Sequence, residues 1–542
     1  MPTGLHIHGI QTILLILLVF IAIFAGLAKR LRISYTIVLL VAGLLLTFVP
    51  GIPRLPLNPD LIFVVFLPPL LYSAAWQTSW RDFRANLGNI GMLALGLVGF
   101  TVAGVTLLAH HFIGMMDWRS GFLLGAVVSP TDAIAATSIA RRIGLPRGVV
   151  DVLEGESLLN DATGLLALEF GLMLVVRGQI PHAGEGLLRL LWLCVGGIGV
   201  GLLVGVVVAW FERFVDDGPI EIVISLIVPY AAYLAGEEVR ASGVLAVVAC
   251  GLYVSRKSAT FFSPDSRLQA LAVWEALTFV LNGLVFILIG LQLPYVMAGI
   301  RGYSTWVLIE YGAIFSIVLI ALRLVWMFPG GMLVHFVRTK ILRQTVEEPG
   351  KRELFVVGWT GMRGVVALAA AISLPETLAD GQPFVQRNLI IFLTFCVILV
   401  TLVGQGLTLP MVIRRLGFEP SHGHACEENE ARQIMLQAAL EYLHGERKIV
   451  QEHARHAYDD LIHQYEHRLE ALTDCERPEE SDALRHAGDA ARGALQVERR
   501  QLIGLRDDDR ISDEVLRGLE RELDLAESRL QTVIPASTKS MA

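Results

Sequence analysis

The sequence predicts an all-α polytopic membrane protein that ends in a soluble helical tail. Hydrophobic residues make up 54% of the 542-residue chain, above the usual share for a soluble globular protein. Apolar runs such as 10–28 and 191–210 are about 20 residues long, enough to cross a bilayer as helices. After about residue 417 such runs stop and charged residues become frequent. The chain therefore divides into a membrane domain, 1–417, and a tail, 418–542.

Successive apolar runs in the membrane domain are separated by polar loops and predict about thirteen transmembrane helices. In chain order, the predicted spans are 10–28, 33–50, 60–79, 88–113, 119–140, 148–176, 187–211, 219–235, 241–255, 270–292, 304–334, 354–374 and 388–413.

Lysine and arginine residues are distributed unequally between alternate loops. The set of loops that contains AKRLR, RDFR, ARRIGLPR and VRTKILRQ holds 19 of them, whereas the opposite loops and span edges hold seven. Positive residues favour the cytoplasmic side. We therefore expect the N-terminus outside a cell membrane and the tail in the cytoplasm. This arrangement requires an odd number of spans, which agrees with the predicted thirteen.

The tail is acidic and helical. Residues 419–542 contain 27 acidic and 16 basic residues, a net charge of −11, whereas the remainder has a net charge of +4. Apolar residues recur every three to four positions from 433 to 472 and again from 513 to 533, which predicts amphipathic helices. The segment DCERPEESDA (474–483) between them predicts a break, because proline and like charges oppose a helix.

The fifth predicted span carries a helix breaker and an acid at mid-membrane, in SPTDAIAA. Pro130 removes a backbone donor and disfavours helix for the residue before it. Local unwinding would leave carbonyl groups and the Thr131 hydroxyl free to replace water around a cation, beside Asp132. A simple kink at Pro130, with Asp132 capping a half-helix, is the alternative.

The next predicted span contains GESLLNDATG (155–164), with several oxygen-bearing side chains on one face. Ser157 and Asp161 are one helical turn apart, as are Glu156 and Asn160, and all four fall within an arc of about 140°. Oxygen donors of this kind suit a hard cation. Asp161 is the strongest functional candidate, because no base lies beside it in sequence and ionisable groups at bilayer depth are usually functional.

A later span has glycines around a buried base, in GWTGMRGVV (358–366). This span and the Pro130 span resemble corresponding halves of an inverted repeat, in which discontinuous helices meet at the midplane. Asp132 and Arg363 would offset the partial charges of the facing half-helix ends. A second buried base, Arg323, has no acid within its own helical turn and needs a partner, for which Glu156 and Glu154 are the candidates.

Taken together, SPTDAIAA, GESLLNDATG, WEALTFVLNGLVFILIGLQL, the arginine in ALRLVW and GMRG resemble the sodium–proton exchangers of the cation/proton antiporter family 1. The match covers about 1–417. It implies thirteen spans with inverted repeats, two crossing unwound helices, a homodimer, and exchange of Na⁺, or of Li⁺, for H⁺ by an elevator-like movement.

The resemblance also implies roles for individual residues. Asp161 would bind both Na⁺ and H⁺, with Asn160, Ser157, Asp132 and Thr131 lining the same site. Glu156 would pair with Arg323, and Arg363 would lie in the second crossover. Because the motif reads Asn-Asp rather than Asp-Asp, the site has one titratable acid fewer, and one-for-one electroneutral exchange is expected. Many relatives carry an acid at the position of Ser73. Because this chain has a serine there, we do not expect the role in ion access that such an acid would have.

Other functions stay open at this stage. A K⁺/H⁺ antiporter would use the same residues. A cation channel or a sensor based on the tail are alternatives of another class, and eight of the 14 histidines lie in the tail. No phosphate-binding loop, hydrolase triad or zinc signature is present, and the five cysteines have no paired spacing. We therefore expect no enzyme activity, no cofactor and no nucleic acid partner, only membrane lipid and the transported ions.

Overall fold

The fold is described from a computed structural model of the chain. It describes residues 4–49, 58–112, 116–143, 145–176, 178, 183–215, 217–261, 264–300, 304–344, 350–378, 381–418, 423–449, 455–473, 478–508, 510 and 513–533. Two units are present, Met1–Pro420 and Ser421–Ala542.

The first half of the membrane unit consists of helices that are broken or bulged in several places. Pro59 lies in the first turn of its helix, where the missing donor costs nothing. Pro68 and Pro69 follow the π-helical turn Ile62–Phe66, where the helix is bulged. The helices are α1 (Gly4–Leu31), α2 (Tyr35–Leu46), α3 (Pro59–Leu61), α4 (Leu67–Gln77), α5 (Trp80–Ala85), α6 (Leu87–Gly91), α7 (Val98–Phe112), α8 (Trp118–Val128) and α9 (Ala133–Ile143), with π-helical turns at Ile62–Phe66 and Met92–Leu97.

The second half of the membrane unit has longer helices and one further interruption. Its helices are α10 (Arg147–Val176), α11 (Ala183–Phe211), α12 (Gly218–Glu238), α13 (Gly243–Phe261), α14 (Pro264–Leu291), α15 (Leu293–Gly299), α16 (Thr305–Phe336), α17 (Lys351–Trp359), α18 (Val365–Ile372), α19 (Arg387–Leu399) and α20 (Gly406–Leu416). A 3₁₀ turn at Glu212–Phe214 and π-helical turns at Val337–Ile341 and Val400–Gln405 complete it.

The predicted all-α membrane fold is confirmed. In the part of the chain that the structure describes, nine helical segments are long and apolar enough to cross a membrane, and α2 and α8 are shorter apolar helices. Two predicted spans, 119–140 and 354–374, are each divided into two helices, α8 with α9 and α17 with α18. The total of thirteen crossings stays a prediction.

Close helix crossings hold the membrane unit together where side chains are smallest. A methyl group at Gly43 of α2 would approach within 2.5 Å of the Ile287 carbonyl oxygen of α14, and one at Gly290 would meet the Leu40 carbonyl oxygen at 2.5 Å. Such glycines allow backbones to pack directly, as is usual between membrane helices. This contact fixes α14 beside α2. By contrast, α1 and α11 face outward, because only 17% of the residues in the most apolar part of each helix are buried.

The tail unit contains four helices, α21 (Gly423–Arg447), α22 (Arg455–Thr473), α23 (Pro478–Asp507) and α24 (Asp513–Val533). The prediction of one amphipathic stretch from 433 to 472 is corrected to two helices. The predicted break at 474–483 is also too long, because α23 begins at Pro478, where proline fits the first turn. Residues 474–477 lie outside the described part, as do His422 and His453. His463 and His467, one turn apart on α22, have ring centroids 4.7 Å apart.

Candidate functional site

The first helix break lies between α8 and α9. Ser129–Asp132 are not helical, and Pro130 supplies no backbone donor there. The Asp132 carboxylate accepts a hydrogen bond from the Ile134 amide at 2.8 Å and so caps the first turn of α9. A methyl group at Gly164 of α10 would collide with the Pro130 ring. The glycine therefore lets α10 pack directly against the break.

The second break lies between α17 and α18, and it touches the first. The Asp132 amide donates to the Met362 carbonyl oxygen at 2.8 Å. A methyl group at Gly364, the residue before α18, would collide with the Asp132 carboxylate. The two interrupted spans thus meet at their non-helical residues, and Asp132 lies at the N-terminal ends of both α9 and α18, where a negative charge is favourable.

Arg363 supplies the opposite charge at this crossing. Its side chain is 2% exposed, and its guanidinium donates to the Val128 carbonyl oxygen at 2.8 Å and to the Gly361 carbonyl oxygen. Val128 is the last residue of α8, so the guanidinium lies at the negative end of that half-helix. Its backbone amide also donates to the Thr401 hydroxyl at 3.1 Å.

Arg323 and Glu156 form a fully buried, bidentate ion pair. The guanidinium nitrogens lie 2.5 and 2.8 Å from the two carboxylate oxygens, and each residue is 1% exposed. Arg323 also donates to the Val357 carbonyl oxygen at 3.0 Å. Glu154, the other sequence candidate for this pairing, lines a cavity instead. The geometry satisfies both charges, which is the condition for tolerating such a pair away from water.

Thr131 and Asn160 extend this ion pair into a polar network. The Thr131 hydroxyl donates to Glu156 at 2.9 Å and accepts from the Asn160 amide nitrogen at 2.5 Å. The Thr131 hydroxyl, expected to be free for a cation, thus already has two side-chain partners, and its part in cation binding stays a prediction. Asn160 was expected to line the cation site, but it points to the break because it lies about 100° around the helix from Asp161. We call Glu156, Arg323, Thr131 and Asn160 the rear network.

A cavity of about 280 Å³ borders this network, and Asp161 faces it. Asp132, Ser157 and Glu154 also line it, and Thr131 contributes to its wall. We call Asp161, Asp132 and Ser157 the cavity face.

Asp161 is 5% exposed, and within the described residues its carboxylate has no hydrogen-bond or ion-pair partner. The charged group that acts on it is Asp132, which carries a like charge. The Asp161 carboxylate is therefore poised to take up a positive ion.

Further polar residues of the cavity wall come from α4 and α14. Ser73, Gln77 and Asn282 line the cavity, and Gln77 donates to the Ser73 hydroxyl at 3.2 Å. In the sequence, Ser73 drew attention only because it stands where many relatives carry an acid, and Asn282 was not a predicted site residue. A lone amide in the middle of the apolar run FVLNGLVF was the signal that could have found it.

Comparison with known proteins adds independent findings. The family model described as sodium/hydrogen exchanger, transmembrane, matches residues 16–415. The chain is 34% identical over 517 residues to an uncharacterized Na⁺/H⁺ exchanger of Mycobacterium tuberculosis, covering 93% of each chain. It is 34% identical to the sodium, potassium, lithium and rubidium/H⁺ antiporter of Bacillus pumilus, covering 79% of this chain and 64% of that one. It is 31% identical to the Na⁺/H⁺ antiporter ApNhaP of Aphanothece halophytica, covering 76% of each.

Among solved structures, the fold is similar to that of the sodium proton antiporter MjNhaP1 from Methanocaldococcus jannaschii at pH 8. The TM-score is 0.58 at 20% sequence identity, covering 75% of this chain and 98% of that one. At this identity the likeness concerns the fold alone.

Proposed function

The chain belongs to the sodium/hydrogen exchanger family, whose members are transporters and not enzymes, and we propose that it exchanges Na⁺ for H⁺ with Asp161 as their shared binding group. The family that the motifs suggested is thereby confirmed, and so is a multi-pass membrane protein. The observation that carries the specific proposal is the environment of Asp161. It is a buried carboxylate that faces a cavity and has no partner within the described chain.

The contrast with Glu156 supports Asp161 as the acid that binds the transported ion. Both residues are buried on α10, but the Glu156 charge is neutralised by Arg323 at 2.5 Å. A cation would gain little from approaching a carboxylate that already has a full counter-charge. A Na⁺ ion entering the cavity would instead meet Asp161, Asp132 and the Ser157 hydroxyl, which are oxygen donors of the kind that hard cations prefer.

Exchange follows if Na⁺ and H⁺ compete for Asp161. A buried carboxylate without a counter-charge is unfavourable as an anion, so either a proton or a cation stabilises it. We propose that the site changes its exposure between the two sides of the membrane, in an elevator-like movement, when Asp161 is neutralised by one of the two ions. An empty, charged site would not cross, and each crossing in one direction would then require a return crossing with the other ion.

We propose further that exchange is one-for-one and electroneutral. Asn160, next to Asp161 in sequence, contributes no charge, so the site has one titratable acid fewer than an Asp-Asp pair would provide. This difference supports the exchange of one proton for one Na⁺ at Asp161. A transport current that reverses with an imposed membrane potential would contradict this stoichiometry.

Potassium exchange is a second candidate, favoured by one observation. The antiporter of Bacillus pumilus, 34% identical to this chain, is named for sodium, potassium, lithium and rubidium. Proton movement in vesicles of the purified protein, with Na⁺, Li⁺ and K⁺ added in turn, ranks the ions directly.

The assembly and orientation that we propose are a homodimer in the cell membrane with its N-terminus outside and its tail in the cytoplasm. The loop charges support the orientation. Labelling of single introduced cysteines in intact cells tests it, and the mass of the purified protein in detergent tests the dimer.

The decisive experiment uses Asp161→Asn in proteoliposomes with an imposed pH gradient. We expect Na⁺-dependent proton movement to fall to the level of empty vesicles while the protein keeps its thermal stability. The matched control is Glu169→Gln on the same helix, whose partner is Arg189 at 3.3 Å and which does not line the cavity. This control should transport normally. Normal transport by Asp161→Asn would refute the proposal.

A further inference from the structure

A second cavity, of about 560 Å³, is lined by four arginines from three different parts of the membrane unit. Arg81 and Arg84 come from α5, Arg256 from the end of α13, and Arg338 from the π-helical turn after α16. We call this cavity the arginine pocket. The four residues belong to the segments RDFR, SRKS and VRTKILRQ, which are among the basic segments between predicted spans that are expected on the cytoplasmic side, so the pocket is expected at the inner membrane surface.

Three of the four arginines, Arg84, Arg256 and Arg338, have no acidic partner among the described residues. None of the described residues that line it is acidic. Arg338 donates to the Gln344 side-chain oxygen at 3.1 Å, which is a neutral partner. In the described chain, Arg84 and Arg256 have no hydrogen-bond or ion-pair partner. Like charges that converge on one cavity repel each other, so an anion bound there would lower the energy. Guanidinium groups are well shaped to bind phosphate oxygens in pairs.

The wall of the pocket is apolar between the arginines. Trp80 is 38% exposed, Leu87 44% and Leu342 57%. Trp80 stacks on Phe83 with a centroid distance of 6.1 Å, which holds its ring in place. Tryptophan at such a position is typical of the membrane–water interface. A ligand that combines an anionic group with hydrocarbon chains would fit both features, whereas a soluble phosphate would use only the arginines.

We propose that the arginine pocket binds the phosphodiester headgroup of an anionic phospholipid of the inner leaflet, with its acyl chains against Trp80, Leu87 and Leu342. Basic pockets between membrane helices on the cytoplasmic side are known to favour such headgroups. A bound lipid would join α5, α13 and the end of α16. Because α5 directly follows α4, whose Ser73 and Gln77 face the ion cavity, the lipid stabilises the arrangement of the helix that borders the transport site. The ion chemistry at Asp161 does not depend on this site.

The test compares the full-length protein in nanodiscs of phosphatidylcholine with and without phosphatidylglycerol. We expect the anionic lipid to raise the thermal unfolding temperature by several degrees, because a ligand of the folded state stabilises it. In a titration with phosphatidylglycerol, Arg84→Ala and Arg256→Ala should each weaken the apparent affinity about fivefold, and the double variant about thirtyfold. Arg213→Ala, an exposed arginine on a loop of the same side but outside the pocket, is the matched control and should behave as wild type.

Three results would overturn the proposal. The first is an equal unfolding temperature of the wild type in both lipid mixtures. The second is an unchanged lipid response in the Arg84→Ala, Arg256→Ala double variant. The third is a full stabilising shift from inorganic phosphate or glycerol 3-phosphate in phosphatidylcholine nanodiscs, which would show that the pocket takes a soluble phosphate. If the double alanine variant does not fold, Arg84→Gln and Arg256→Gln are tested singly, since they keep the side-chain length and remove the charge.

Discussion

The rear network and the cavity face each take two residues from neighbouring surfaces of α10, yet the α10 carboxylates of the two sets, Glu156 and Asp161, have opposite environments. Glu156 has both oxygens paired to Arg323 and also accepts from Thr131 at 2.9 Å. Five residues later, Asp161 faces the cavity with no partner among the described residues. We therefore propose different roles for two acids of the same chemistry: Glu156 holds the broken helix in place, and Asp161 binds the transported ion. The following variants test this division.

The largest effect on stability should come from the rear network. Arg323→Ala leaves the Glu156 carboxylate buried without its counter-charge, and we expect a loss of about 3–5 kcal/mol in unfolding free energy. Thermal unfolding of the purified protein in detergent measures the loss. Removing both charges, in Arg323→Met with Glu156→Gln, should restore most of the stability, because no unpaired charge remains. An Arg323→Ala variant as stable as wild type would show that the pair does not hold the break.

A clash at the crossing should affect transport strongly. In Gly364→Ala the new methyl group meets the Asp132 carboxylate, and overpacking of this kind costs about 1–3 kcal/mol. We expect the transport rate in proteoliposomes to fall about tenfold or more as Asp132 is displaced from the cavity face. Gly99→Ala is the control, since nothing lies within 4 Å of a methyl group there. Equal rates for the two variants would contradict the proposed role of the contact between the breaks.

A smaller loss of stability is expected for Asn160→Asp. An ionised carboxylate cannot donate to the Thr131 hydroxyl as the amide does at 2.5 Å, and an unsatisfied buried group costs about 1–3 kcal/mol. Thermal unfolding at neutral and acid pH is the measurement. Because a protonated carboxyl can donate again, acidification should reduce the difference from wild type. A difference that does not change with pH would exclude this explanation.

The smallest effect should come from Ser157→Ala on the cavity face. Loss of one neutral oxygen ligand is expected to raise the Na⁺ concentration for half-maximal transport about fivefold, the equivalent of about 1 kcal/mol, with little change in maximal rate. Ser129→Ala is a suitable control, because the Ser129 hydroxyl donates to the Ala126 carbonyl oxygen at 2.9 Å and does not line the cavity. An unchanged Na⁺ dependence in Ser157→Ala would remove this residue from the proposed site.

Much of the membrane fold could be predicted from the sequence, because each determinant is local. Pro130 and the glycines around Arg363 mark the two breaks through their effect on their own backbone. The lengths of the apolar runs and the turn residues between them predicted the spans, and each predicted span corresponds to one helix or to a pair of helices. In the tail, the three-to-four residue period places α24 at Asp513–Val533, but it did not reveal α23 or the interruption between α21 and α22, where the apolar pattern continues.

The details of the site depended on contacts between distant segments and were less predictable. The arc of oxygen-bearing side chains on α10 was visible in the sequence. The sequence did not show that Glu156 and Asn160 join the rear network whereas Ser157 and Asp161 line the cavity. Asn160 bonds to Thr131, 29 positions away, and is not among the described residues that line the cavity with Asp161 and Ser157. Asn282 of α14 lines the cavity together with residues of α4, α10 and α18, an arrangement that no local pattern contains.

The central claim, that one carboxylate binds either Na⁺ or H⁺, is tested most directly by calorimetric titration of the purified protein with Na⁺. Measurements in several buffers of different protonation enthalpy, at a series of pH values, give the number of protons released on binding. Competition at Asp161 predicts that, where the site is protonated, one proton leaves for each Na⁺ bound, and that Asp161→Asn shows neither Na⁺ binding nor proton release. Sodium binding without proton release at every pH, or unchanged release in Asp161→Asn, would contradict the account.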